Sequence, residues 1–102
     1  MTSTDLDARS LESRAGTFGA LGDPIRLSIL EELSDAQRCV CGLHEALGIA
    51  PNLLSYHLRI LREAGLVEAT RRGRWVDYWI SSNAAAAITA ALPSSLVEAV
   101  AK

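Results

Sequence analysis

The chain has 102 residues, 49% apolar and 22% charged, with a net charge of −2, which is the profile of one soluble globular domain. No run approaches the roughly 20 apolar residues a membrane span needs, and the polar, acidic start MTSTDLDARSLESR has no hydrophobic signal region, so the cytoplasm is the expected compartment. The charge is uneven: residues 48–80 hold five arginines against three carboxylates, whereas residues 1–47 hold four arginines against eight. That split points to an anionic partner met by the second half of an otherwise acidic chain.

Residues 1–10 read as a disordered N-terminal arm and 11–102 as a single domain. Leu11, Ala15, Phe18 and Leu21 recur at helical spacing, predicting an amphipathic helix that ends near Gly22. Asp23 is a good N-cap and Pro24 suits a first helical position, so a second helix starts there. Its Ile25, Leu27, Ile29, Leu30 and Leu33 cover a face wide enough for a central core helix. A third helix is expected over Val40–Leu47, ended by Gly48.

The fourth helix opens at Pro51 and stops at Gly65. At 100° per residue, Leu54, Leu58 and Leu61 share a buried side flanked by Leu53, His57 and Ile60, while Asn52, Ser55, Tyr56, Arg59 and Glu63 point away. Two short helices joined by a tight glycine turn carry the helix-turn-helix signature. Leu66–Arg71 and Trp75–Ile80, bracketing Arg72-Gly73, predict a β-hairpin in the place of a wing. Asn83 is placed to cap a last long helix over Ala84–Leu92; Pro93 breaks it, and Ser95-x-x-Glu98 forms a capping box for a short final turn. The expected fold is therefore mainly α with a small β-hairpin, a winged helix-turn-helix.

On this frame Asn52, Ser55, Tyr56 and Arg59 form a candidate DNA-reading face. Asn and Arg make bidentate contacts to base edges, and Ser and Tyr bond phosphates or bases. Taken singly such a face is most often just solvated; here an arginine-rich hairpin follows it, and Arg71, Arg72 and Arg74 are candidate phosphate or minor-groove contacts. Trp75, Tyr78 and Trp79 read as hairpin and core aromatics. Ser55 and His57 lie two apart on a helix and point apart, and no catalytic constellation appears, so an enzyme is not expected.

Cys39 and Cys41 are the other candidate site. A bridge between them would close a very short loop, so free thiols are expected. Small buried hydrophobes are the plain alternative. A helix start beside Arg38 favours thiolate, and a thiolate pair suits a soft ion. Residues two apart on a regular helix point about 200° apart, so joint capture of one ion is expected to displace the first turn of the third helix.

The quoted order, with LGDPIRLSILEEL, RCVCGLHEAL, SYHLRILREAGLV and RRGRWVDYWI, resembles the ArsR/SmtB family of bacterial metal-responsive repressors over about residues 11–92. The resemblance implies a homodimer joined through its first and last helices, with Leu11, Ala15, Phe18, Ile88 and Leu92 as candidates. It implies double-stranded operator DNA as partner, no cofactor required for DNA binding, and release by an inducer. Arsenic sensors of this kind often carry a third Cys where this chain has His44, which makes His44 a candidate third donor beside Cys39 and Cys41; a small thiol or water are the alternatives. The extra cysteines of cadmium and lead sensors are lacking, as are the His and acidic residues that zinc and nickel sensors carry on the terminal helix. The implied inducer is As(III) or Sb(III); the alternative is a thiol redox sensor or one for another soft metal (Cd, Pb or Bi).

Overall fold

The computed structural model describes residues 2–101, with side chains placed for residues 10–96, 98 and 99. Helices α1 (Thr2–Leu21), α2 (Pro24–Leu33), α3 (Val40–Leu47) and α4 (Pro51–Glu63) precede a hairpin of β2 (Val67–Arg72) and β3 (Trp75–Ile80). Helices α5 (Ala84–Ala91) and α6 (Ser94–Ala101) follow. A two-residue strand, β1 (Arg38–Cys39), leads into α3 and pairs with β3, so the antiparallel sheet runs β1-β3-β2.

The boundaries follow from local chemistry. Asp23 Oδ1 accepts from the amides of Ile25 (2.8 Å) and Arg26 (3.1 Å), and Pro24 occupies the first turn, where a missing N–H costs nothing. Helix α3 stops where Gly48 turns left-handed at φ 65° and its amide returns to the His44 carbonyl. After α4 the chain closes a Schellman turn: Gly65, at φ 76°, donates to the Arg62 carbonyl and Leu66 to that of Leu61. Leu43 of α3 and Leu54, Leu58 and Leu61 of α4 are fully buried against Ile29 and Leu33 of α2, with Leu66 and Val67 closing the core from the hairpin.

Several expectations are corrected. Helix α1 is described from Thr2, ahead of the first apolar repeat at Leu11. Its inward residues are the small Thr17 and Ala20, which carried no signal in the sequence, and Leu11, Ala15 and Phe18, named as candidates for a dimer surface, face out. Leu27 and Leu53, placed on buried faces by their periodicity, are 49% and 41% exposed. The hairpin turns one residue later than expected, at Gly73-Arg74; Arg72 pairs with Trp75, and glycine fills the first central position at φ 65°. Asn83 holds the N-cap position of α5 without a side-chain bond, and its own amide donates to Ser81 Oγ. The final turn is a two-turn helix starting at Ser94, one residue before the capping-box serine. Arg14 Nε donates to the Ala91 carbonyl at 3.1 Å, tying α1 to the end of α5.

Leu58 has no solvent exposure, so Leu58→Ala should cost about 2–5 kcal/mol and lower the melting temperature by roughly 10–30 °C in a calorimetric scan. A drop of only a few degrees would show that this core collapses around the missing side chain.

Candidate nucleic-acid interface and thiol site

Helix α4 carries its chemistry on one side because the other is sealed. Leu54, His57, Leu58 and Leu61 are buried, and Asn52, Ser55, Tyr56 and Arg59 are all exposed. The four exposed residues line one shallow hollow of about 380 Å³, so the expected reading face is gathered in space as well as in sequence. Within it the Arg59 guanidinium lies 5.9 Å from the Tyr56 ring, and Tyr56 meets His57 edge-on at 5.0 Å.

The hairpin separates its three arginines. Arg71 is exposed, and Arg74 lies 5.6 Å above the ring of Trp75, a hairpin aromatic that is itself 43% exposed. Arg72 is committed within the protein: its Nε donates to Asp77 Oδ2 at 2.8 Å and its Nη2 to Oδ1 at 3.1 Å. Asp77 is buried, and Gln37 Nε2 donates to its Oδ2 at 3.4 Å. The hydrogen bond from Arg72 holds the Asp77 carboxyl below the usual carboxylate range, and Asp77 raises Arg72 in return.

The cysteines depart most from expectation. Their sulfurs are bonded to each other, with Cα atoms 5.3 Å apart. This contradicts the free thiols expected from the sequence and the placing of both cysteines on one regular helix. The reason is local: Cys39 is not helical but extended (φ −73°, ψ 159°), the last residue of β1 and the N-cap of α3, so its side chain swings toward Cys41 while α3 stays intact from Val40. Its Sγ also accepts from the Gly42 amide at 3.2 Å, capping the helix. Cys39 is half-buried and Cys41 exposed, so the pair is open to solvent.

Neither neighbour named from the sequence joins them. Arg38 Nε donates to the Glu32 carbonyl at 2.9 Å and lies 3.7 Å from its carboxylate. The His44 ring engages the Ile49 carbonyl. Among the described residues no group of three or more His, Cys, Asp or Glu side chains is placed to hold a metal ion.

Sequence reasoning missed how α4 is held. Arg26 Nη1 donates to Nδ1 of buried His57 at 2.9 Å, while Nε and Nη2 donate to the carbonyls of Ala20 and Gly19 at the end of α1. Arg26 has no periodic signature; only the unusual His on the buried side of α4 hinted that a partner was needed.

Helix-turn-helix, exposed polar face and basic wing define a winged-helix DNA-binding regulator. Residues 23–69 match the family described as bacterial regulatory protein, arsR family. An uncharacterised HTH-type transcriptional regulator of Methanocaldococcus jannaschii is 41% identical over 70 residues, 68% of this chain and 79% of that one. The arsenical resistance operon repressor of Escherichia coli is 42% identical over 65 residues, 63% of this chain and 56% of the repressor, so the match spans about half of that relative's length. A solution structure of a homodimeric winged helix-turn-helix DNA-binding domain from Mycobacterium bovis, a possible ArsR-family regulator, superposes with a TM-score of 0.76 at 33% identity, over 95% of this chain and 85% of that one. The chain belongs to the ArsR family.

Two carboxylates are depressed in the folded chain. The hydrogen bond donated by the Arg26 amide holds Asp23 below the usual carboxylate range, as Arg72 does Asp77. Groups depressed in the folded state add stability that is fully present above the unfolded value and is lost as pH falls through the folded one. The melting temperature should therefore hold between about pH 7 and 5 and fall below about pH 4, less steeply in an Asp23→Asn, Asp77→Asn double variant. Equal slopes in the two proteins would place the acid sensitivity elsewhere.

Proposed function

We propose that this chain is a homodimeric transcriptional repressor that sits on double-stranded operator DNA in the cytoplasm and is released through its Cys39–Cys41 pair. The observation that carries the DNA reading is the single hollow shared by Asn52, Ser55, Tyr56 and Arg59, on the only open side of α4 and followed in the chain by an arginine hairpin. Asn52 and Arg59 offer bidentate contacts to base edges, and Ser55 and Tyr56 contacts to bases or phosphates; Arg71 and Arg74 are free for phosphates. Arg72 reaches DNA only by leaving Asp77. DNA binding itself requires no cofactor.

Dimerisation is supported by the outward row of Leu11, Ala15 and Phe18, which with Arg14, Ala91 and Pro93 lines an apolar groove of about 200 Å³. Ile88 and Leu92 lie half-buried nearby in sequence on and after α5. The radius of gyration is 15.6 Å, against about 13 Å for a compact chain of this length, as for a subunit completed by a second copy. Selection from random duplexes should return an imperfect palindrome with half-sites one or more helical turns apart. Arg59→Ala should weaken anisotropy-measured affinity for it by about tenfold or more, and affinity should fall steeply with salt. No salt-dependent duplex binding by the wild type would overturn the DNA reading.

For the trigger, the name of the E. coli relative and the soft donor pair support trivalent arsenic or antimony. A cellular thiol reductant first delivers two electrons and two protons to the Cys39–Cys41 bond and is itself oxidised to a disulfide. Arsenous acid would then form two As–S bonds with the two thiols, its two displaced hydroxides leaving as water with the thiol protons, and its third position falls to the remaining hydroxide or a small thiol. Cadmium, lead or bismuth would draw on the same two sulfurs. The second reading is redox, favoured by the bonded sulfurs. There a peroxide oxidises one thiolate to the sulfenic acid, releasing an alcohol or water; the other thiol displaces water and the disulfide forms, with two electrons ending in the cleaved O–O bond. A Cys39→Ser, Cys41→Ser variant should bind the selected duplex within about threefold of wild type and ignore both arsenite and peroxide, while wild type separates the two by which reagent releases it. Normal release from the double variant would show that the trigger lies elsewhere.

A further inference from the structure

Asp77 is the lone charged residue of β3 and, at 4% exposure, the most deeply buried carboxylate among the described residues. A carboxylate inside a small sheet is a poor stabiliser, since desolvation offsets much of what its ion pair returns. Its placement serves geometry better. Three separate parts of the chain end on it: Arg72 from the wing with two hydrogen bonds, Gln37 from the loop before β1, and Cys39, its cross-strand partner in the sheet.

Strand β1 is only Arg38 and Cys39, and its ladder partner is β3 alone. The residue whose sulfur is bonded to Cys41 and capped by the Gly42 amide is therefore also the rung that β1 shares with Asp77, two residues after Gln37. On the far side of Asp77 stands Arg72, the last residue before the Gly73-Arg74 turn, whose cross-strand partner is Trp75.

We propose that Asp77 is the positioning residue through which the thiol pair sets the wing: the state of the Cys39 and Cys41 sulfurs moves β1 against β3, and Asp77 passes that movement to Arg72. The proposal rests on the reading of the cysteine pair as the trigger. It assigns to the response Asp77 and Gln37, neither of which belongs to the exposed face of α4 or to the cysteine pair.

Trp75 provides a readout independent of DNA. In the full chain carrying Trp79→Phe, Trp75 is the sole tryptophan, and it is exposed at the wing. Dithiothreitol delivers two electrons and two protons to the sulfur–sulfur bond, giving two thiols while the reagent closes to its own cyclic disulfide. Trp75 emission should change on this reduction, and should not in the same chain with Asp77→Asn. Operator affinity of the wild type should differ between the two sulfur states by about tenfold or more, and of Asp77→Asn by less than about twofold. Gln37→Ala, at an exposed loop residue, breaks one connection without touching the core and should reduce both responses if Asp77→Asn misfolds.

A purely structural Asp77 predicts a lower melting temperature with the response ratio intact, and that result overturns the proposal. So does a Trp75 change that survives in both variants, or no change in the parent chain. A Trp75 change that depends on Asp77, in a protein that releases no duplex, supports the relay and overturns the repressor reading instead.

Discussion

The roll of α4 about its own axis governs what this protein presents to the outside. Leu54, Leu58 and Leu61 are buried to the last ångström of surface, and rotating the helix by one residue would drive a polar side chain into the space they fill. Hydrophobic burial supplies the energy, but leucines alone tolerate small rotations. The directional element is the guanidinium of Arg26, which holds His57 on α4 and two carbonyls of α1 at once. A planar donor with three fixed bonds permits little slack, so the orientation of the open face is set by a contact on the hidden one.

This division explains what was legible in the sequence. Asp23-Pro24, Gly48, Pro51 and Gly65 each act through their own backbone within a few residues, so the second, third and fourth helices fall where local chemistry puts them. The exposed polar face of α4 was legible for the same reason: helical spacing alone sorts Asn52, Ser55, Tyr56 and Arg59 from the leucines. Contacts between distant residues were not. Nothing in Arg26 announces His57, 31 positions on, and nothing in Arg38-Cys39 announces a strand, since two residues have no periodicity. The apolar stripe of α1 was legible as periodicity, whereas the inward residues Thr17 and Ala20 were not, because small side chains leave no apolar pattern.

The bounds of α3 were placed correctly, but the thiol site was misjudged because Cys39, the extended residue before the helix, was given helical geometry. With Cys39 inside α3 the sulfurs would diverge; with Cys39 as its cap they converge, and α3 need not unwind for them to meet. A conflict between pairing and helix thus gives way to cooperation between them. The cost of changing the site moves from the helix to the sheet, where the short strand β1 is the weaker partner.

One atom of this arrangement has three employers. The Cys39 sulfur is the acceptor that completes the first turn of α3, half of a covalent link, and the side chain of a ladder residue. Any reagent that claims its lone pairs competes with the Gly42 amide for them, whether that reagent is a metalloid, a heavy cation or an oxidant. The mechanical half of such a device is indifferent to the identity of its stimulus. Chemical selectivity can then be rewritten by changing the side chains around the sulfur, with the lever beneath left as it is.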